Sequence, residues 1–199
     1  TELLNCARED WENNWKQYFK PIKVGEKLLI RPAWIDEFDA DGRAVLTLEP
    51  GVAFGTGTHE TTRLCMEALE LAVKDGCEML DVGCGSGILS VAGMLLGASS
   101  VTGVDIDRLA VKVAVENGKM NGFTAPKFNM IHGDLTDKIS GKFDVVTANI
   151  VADAIIKLTP AIKEFLKDDA VYIVSGIIDT RENDVLPVLA ENGFEVTER

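Results

Sequence analysis

The chain has 199 residues, 46% apolar and 26% charged, with 18 Gly and 6 Pro. That is the composition of a globular domain able to bury a core without disulfide or metal staples, and it excludes a disordered or low-complexity chain. Twenty Lys and Arg against 32 Asp and Glu give a net charge of −12, which excludes nucleic-acid binding by bulk electrostatics and favours basic partners. Cys6, Cys65, Cys77 and Cys84 form no Cys-x-x-Cys pair, and His59 and His132 are the sole histidines, so no metal site is expected. The longest apolar run, residues 88–98, falls short of the roughly 18 residues of a membrane span. With no secretory leader, a reducing cytoplasm is expected. Because the chain begins Thr-Glu, it is expected to belong to a longer protein.

In chain order, Trp11, Trp15, Tyr18 and Phe19 fall at i, i+4, i+7 and i+8, which predicts a helix over residues 8–19, ended by Pro21. Extended runs at 27–30 and 44–48, with turn material at 39–43 between them, are predicted as a β-hairpin. A glycine-bearing loop, 50–58, opens onto a helix over 59–74 that Gly76 stops. From residue 78, short apolar strands (79–82, 101–105, 127–131, 143–148, 170–175) alternate with helices (88–96, 108–121, 152–166, 180–192). Pro160 is expected to bend or split the helix over 152–166, and residues 194–199 read as the start of another strand. The alternation predicts an α/β fold, a doubly wound and mostly parallel sheet with helices on both faces. Residues 1–50 are assigned to a helix and β-hairpin linker region, and 51–199 to the domain that carries the chemistry.

In such a sheet, ligands bind at the carboxyl ends of the strands, near the switch in strand order. After the strand over 79–82 stands Asp81-Val-Gly-Cys-Gly-Ser-Gly87. Gly83 and Gly85 permit a tight turn and close backbone approach, and the next helix aims its N-terminal amides at the ligand. Asp105, with Ile106 beside it, ends the next strand, where a carboxylate can accept hydrogen bonds from both ribose hydroxyls of an adenine nucleoside.

A dinucleotide site reads Gly-x-Gly-x-x-Gly; here the third glycine comes one residue early. Asp81 stands two residues before Gly83, awkward beside a pyrophosphate and useful beside an ammonium. A ligand with adenosine at one end and a cationic amino acid at the other fits best, and S-adenosylmethionine has that form. A nicotinamide-dependent oxidoreductase, or a glycine turn that only packs helix on strand, are the alternatives.

The loop ahead of residue 59 lacks the lysine of a triphosphate-binding loop. Its helix N-terminus can still receive a carboxylate, helped by Thr61 or Thr62, and His59 is the loop's one titratable base. Asn149, after the strand over 143–148, either offers its amide oxygen to an amine or caps the next helix. Asp134 either meets the adenine end or is a solvated turn residue. Ser86 lacks a hydrolase frame, since Cys84 stands where its first glycine belongs.

Five segments together resemble class I methyltransferases and, more narrowly, the ribosomal protein L-eleven methyltransferase family. They are Asp10-Trp-Glu-Asn-Asn-Trp-Lys-Gln-Tyr-Phe-Lys-Pro21, Pro50-Gly-Val-Ala-Phe-Gly-Thr-Gly-Thr-His-Glu-Thr-Thr62, Leu80-Asp-Val-Gly-Cys-Gly-Ser-Gly-Ile-Leu89, Gly103-Val-Asp-Ile-Asp107 and Ala148-Asn-Ile150. The glycine and acid motifs are general to class I enzymes; the Phe-Gly-Thr-Gly-Thr-His loop and the Trp-rich helix are specific to the family. The resemblance implies methyl transfer from S-adenosylmethionine to lysine and N-terminal amines of large-subunit ribosomal protein L-eleven, with cofactor contacts on Thr62, Gly83, Asp105 and Asn149. Gly85 and Ile106 are added to that set from the motifs around them. Members carry an N-terminal substrate-recognition domain ahead of the Trp-rich helix and a last strand after residues 194–199, so this chain is expected to be the catalytic domain of a longer protein. The expected mechanism is direct displacement, with Asn149 as the catalytic residue that orients a neutral amine. A monomer without nucleic-acid or membrane partners is expected; a methyltransferase of another substrate and a non-catalytic adenosyl-binding module are the alternatives.

Overall fold

The computed structural model describes residues 20–49 and 59–199; the helix predicted over 8–19, Cys6 and the loop 50–58 lie outside them. Three short strands come first, β1 (Ile22–Val24), β2 (Leu28–Pro32) and β3 (Ala44–Leu48), and form a small sheet of their own. Five apolar runs then build one parallel sheet: β4 (Glu78–Val82), β5 (Ser100–Asp105), β6 (Phe128–His132), β7 (Phe143–Asn149) and β8 (Leu166–Ser175), in the order β6-β5-β4-β7-β8. The order reverses at β4, between β5 on one side and β7 on the other, so the loops after β4 and β7 flank the switch point.

Helices cover both faces. On one lie α1 (Glu60–Ala72), α2 (Ile88–Leu95) and α3 (Arg108–Met120); on the other lie α4 (Ala152–Ile162) and α5 (Glu182–Glu191). Side-chain alternation along the strands divides the core accordingly. Met79, Val101, Phe128 and Val145 face the first three helices, Phe128 against Gly118 of α3, while Leu80, Val82, Val104, Val146 and Ala148 pack with Leu158 and Ile162 of α4.

The linker region departs from the hairpin reading. The runs at β2 and β3 pair in parallel, with Leu28 opposite Ala44 and Pro32 opposite Leu48. The hairpin is made instead by β1, antiparallel to β2. Its turn amides, Glu26 and Lys27, donate to the Glu70 carboxylate of α1 at 2.9 Å each. Leu28, Ile30, Leu46 and Leu48 are buried in the same cluster as Met66, Met79 and Ala92, so the three-stranded sheet shares a core with the larger one. Along β3 the exposed backbone is met by side chains of α3 and its C-terminal cap. Asn121 accepts from the Thr47 N–H at 2.8 Å and donates to the Thr47 carbonyl at 2.7 Å.

Two further expectations need correction. The helix over 152–166 neither splits nor runs that far: α4 continues through Pro160 to Ile162, tightens into a 3₁₀ turn (Lys163–Phe165), and β8 begins at Leu166. Pro160 lacks the N–H that would donate to the Ile156 carbonyl, and the helix runs on past it for two residues with one backbone bond fewer. Lys167 then anchors the new strand, donating to Glu78 at 2.7 Å and to Asp144 at 2.8 Å across the sheet. Residues 194–199 form no strand; Phe194 folds back so that its ring lies 5.3 Å from that of Tyr172. Among the described residues, no strand pairs with the outer edge of β8 or of β6.

Candidate functional site

The loop after β4 turns tightly and is held from below. Gly83 and Cys84 N–H groups both donate to the Val104 carbonyl of β5, at 2.8 and 3.0 Å. Gly83 and Gly87 have φ of +72° and +76°, in the left-handed region that disfavours side chains. A Cβ on Gly83 would come within 2.3 Å of Ile150 Cγ2, and one on Gly87 within 2.8 Å of the Ala114 Cβ of α3. Gly83 thus admits the close approach of Ile150 in the turn after β7, and Gly87 that of α3. Gly85, also at positive φ, serves the carboxylate instead, for its N–H donates to Asp105 Oδ2 at 2.9 Å.

Asp105 ends β5 half-buried, with Oδ1 accepting from the Asp107 N–H at 2.9 Å. Two backbone donors fix the carboxylate and leave further lone pairs on both oxygens for a pair of vicinal hydroxyls. Ile106 follows at 70% exposure, an apolar side chain beside the acid, and its carbonyl accepts from His132 Nε2 at 3.1 Å. Asp107 caps α3 by accepting from the Leu109 N–H.

Asp81 does not sit where an ammonium could reach it. It is 1% exposed, and its oxygens accept from Ser90 Oγ at 2.6 Å and Thr147 Oγ1 at 2.8 Å. Register explains this: Asp81 stands directly opposite Thr147 and points toward α2, beneath the glycine loop. Burial raises its pKa, against the lowering by the Ser90 and Thr147 hydroxyls. Cys84 is buried, and burial, with Asp81 and Asp105 nearby, pushes its thiol well above the ordinary range. Burial likewise lifts Cys65, to about 11, so neither thiol is poised as a nucleophile.

Across the switch point, α1 and β7 bring Thr62 and Asn149 together. Asn149 Nδ2 lies 3.5 Å from Thr62 Oγ1, the outer limit of a hydrogen bond, and Thr62 is 1% exposed. Among the described residues Asn149 Oδ1 has no hydrogen-bond partner, and Val151 ends the turn at 67% exposure as the N-cap residue of α4. Asn149 itself is not the cap. Asp134 makes an exposed ion pair with Lys157 at 3.1 Å. His59 is the N-cap residue of α1, and its Nδ1 shares a hydrogen bond of 3.2 Å with Thr61 Oγ1. Among the described residues no cluster of His, Cys, Asp and Glu is arranged to hold a metal, and no helix is long and apolar enough to cross a membrane.

Two groups of residues thus face one another at the carboxyl end of the sheet, Gly83-Gly85-Asp105-Ile106 and Thr62-Asn149. The first fits an adenine nucleoside: a doubly anchored carboxylate for a ribose, an exposed apolar side chain for a base and a close-lying backbone turn. The family described as "Ribosomal protein L11 methyltransferase (PrmA)" matches residues 1–199. The chain belongs to that family.

A ribosomal protein L11 methyltransferase of Caldanaerobacter subterraneus is 47% identical over 98% of this chain and 62% of its own length. One of Acetivibrio thermocellus is 45% identical over 96% of this chain and 60% of its own. The chain therefore spans about three-fifths of the length of these curated relatives. Among solved structures, a ribosomal protein L11 methylase of Lactobacillus delbrueckii superposes with a TM-score of 0.84 at 34% identity, over 90% of this chain and 92% of that one. The mostly parallel, doubly wound sheet of the L11 methyltransferase family is the fold seen here.

The structure adds residues that sequence reasoning passed over. Ser90 and Thr147 satisfy Asp81; Asn117 and Asn121 tie α3 to β3. A signal existed for Asn117, a polar residue on the otherwise small and apolar buried stripe formed by Ala110, Ala114 and Gly118.

Proposed function

We propose that this chain is the catalytic domain of a methyltransferase that binds S-adenosylmethionine between the two residue groups and methylates lysine and N-terminal amines of ribosomal protein L11. The observation that carries the reading is the Asp105 carboxylate, held by the Gly85 and Asp107 amides at the end of β5, beside the switch in strand order. Asp105, Gly85 and Ile106 hold the adenosine; Thr62 and Gly83 border the methionine end. Bound there, S-adenosylmethionine supplies a sulfonium methyl, an electrophile for a neutral amine.

Asn149 orients that amine. Its Nδ2 faces Thr62, which leaves Oδ1 to accept an amine N–H and aim the nitrogen lone pair into the crevice. A lysine amine, with an ordinary pKa near 10.4, gives up its proton to water before it is held this way. Neither thiol near the crevice is suited to take that proton. The names of the relatives supply the substrate, and a net charge of −12 suits a basic one. On this reading the domain acts as a cytoplasmic monomer, binds no nucleic acid directly, and is joined through residues 1–50 to a substrate-recognition domain.

The test is calorimetric titration of the chain with S-adenosylhomocysteine, with NAD as control. Saturable binding is expected, and Asp105→Ala should weaken it at least tenfold, since a hydrogen bond to a charged group contributes about 1.5–3 kcal/mol. Binding of NAD in its place would overturn the reading. Methyl transfer to the ribosomal protein by the longer protein, lost in Asn149→Ala, tests the rest. Absence of turnover in the unaltered protein would favour a non-catalytic adenosyl-binding module.

A further inference from the structure

The side chain of Asn117 joins the glycine loop to the segment that follows β3. It lies on α3, is 1% exposed, and touches neither Asp105 nor Asn149. Its Nδ2 donates to the Ser86 carbonyl inside the glycine loop at 2.8 Å, and its Oδ1 accepts from the Glu49 N–H at 3.3 Å. Ser86 follows Gly85, whose N–H holds the Asp105 carboxylate. Glu49 is the last described residue before the loop 50–58, which leads into α1 and Thr62.

We propose that Asn117 is a positioning residue for cofactor binding: one buried amide sets the glycine loop and the Glu49 backbone at a fixed separation. The inference rests on the S-adenosylmethionine reading of the site. Chemistry favours an amide at this place. Asn and Gln offer a donor and an acceptor side by side on one amide plane, and Asn reaches one bond less far. The carbonyl of Ser86 requires a donor and the N–H of Glu49 requires an acceptor. An unmade bond to either would leave a polar backbone group without its partner.

Asn121, one turn along from Asn117, provides the control. It fastens β3 through Thr47 as Asn117 fastens Glu49, and it has no bond to the glycine loop. A role confined to docking the small sheet would make the two residues equivalent.

The experiment compares Asn117→Ala, Asn117→Asp and Asn121→Ala. For each, the affinity for S-adenosylhomocysteine, the thermal midpoint, and amide hydrogen exchange at residues 85–87 without ligand are measured. Asn117→Ala is expected to weaken binding about fivefold, the factor set by the net contribution of one hydrogen bond, and to speed exchange at 85–87. Asn121→Ala is expected to lower the thermal midpoint while leaving both affinity and that exchange unchanged. Asn117→Asp keeps the shape and the acceptor for Glu49 but loses the donor to Ser86; it should weaken binding as alanine does, and it serves alone if the alanine variant does not fold. Equal losses of affinity in the Asn117 and Asn121 variants, or unaltered affinity in the Asn117 variants, would overturn the inference alone. Failure of the unaltered chain to bind S-adenosylhomocysteine would overturn the cofactor reading on which it stands.

Discussion

At the residue scale, two carboxylates near the glycine loop divide their labour by exposure. Asp105 is half-buried at a strand end, where backbone donors hold it facing the crevice; Asp81, beneath the loop, is sealed among Ser90, Thr147 and the core. Burial raises the Asp81 pKa above the value near 4 of an unfolded carboxyl. In the window between those two values the folded state binds the proton more tightly, so stability falls as pH rises through it. Asp81→Asn removes the titration. Relative to the unaltered chain, the variant should therefore gain stability as pH is raised from about 4, levelling off once the folded-state pKa is passed. Urea midpoints at a series of pH values measure this; a difference that does not change with pH would show that Asp81 titrates alike in both states. The same burial explains why sequence reasoning misassigned the residue. Spacing places Asp81 next to the ligand loop, but strand alternation turns its side chain toward α2, and only the register against Thr147 reveals that its oxygens are already taken.

At the element scale, the α2 N-terminus and α3 approach so closely that Gly87 admits no side chain. Gly87→Ala adds a left-handed conformation and an intrusion on Ala114, and should lower stability by on the order of 3 kcal/mol, read from denaturant unfolding. The alternating elements from β4 onward are legible in the sequence because apolar strand runs and 3.6-residue periodicity are local signals, and Asp105 and Asn149 end two of those strands. The small sheet differs from the hairpin reading because two extended runs joined by turn residues look alike whether they pair antiparallel or parallel. The short β1, three residues long, carries too little pattern to announce itself as the partner of β2. Residues 194–199 failed for a related reason: an apolar Phe194 beside polar neighbours satisfies a strand pattern, while the packing of its ring on Tyr172 is a tertiary fact. Asn117 belongs to this class too, since its two partners lie 31 and 68 positions away in sequence.

At the scale of the whole molecule, one buried cluster runs from the three-stranded sheet through α1 and α2 to the parallel sheet. Leu46, fully buried on β3, contributes to it as directly as Met79 on β4. Leu46→Ala should cost about 2–5 kcal/mol, and hydrogen exchange should show protection falling by the same free energy in β3 and β4. Loss confined to the small sheet would mean that the two fold as separate units. The ten-residue β8 has a further consequence for how copies of this chain behave together. Its outer side carries backbone donors and acceptors that no described strand meets, a template on which a second chain could extend the sheet. Lys167, Asp168 and Asp169 crowd one end of that border with charge, and the net −12 of the chain surrounds it with mutual repulsion. The chain's acidity thereby acts as a colloidal safeguard between copies of it, for as long as the ionic strength lets like charges feel one another.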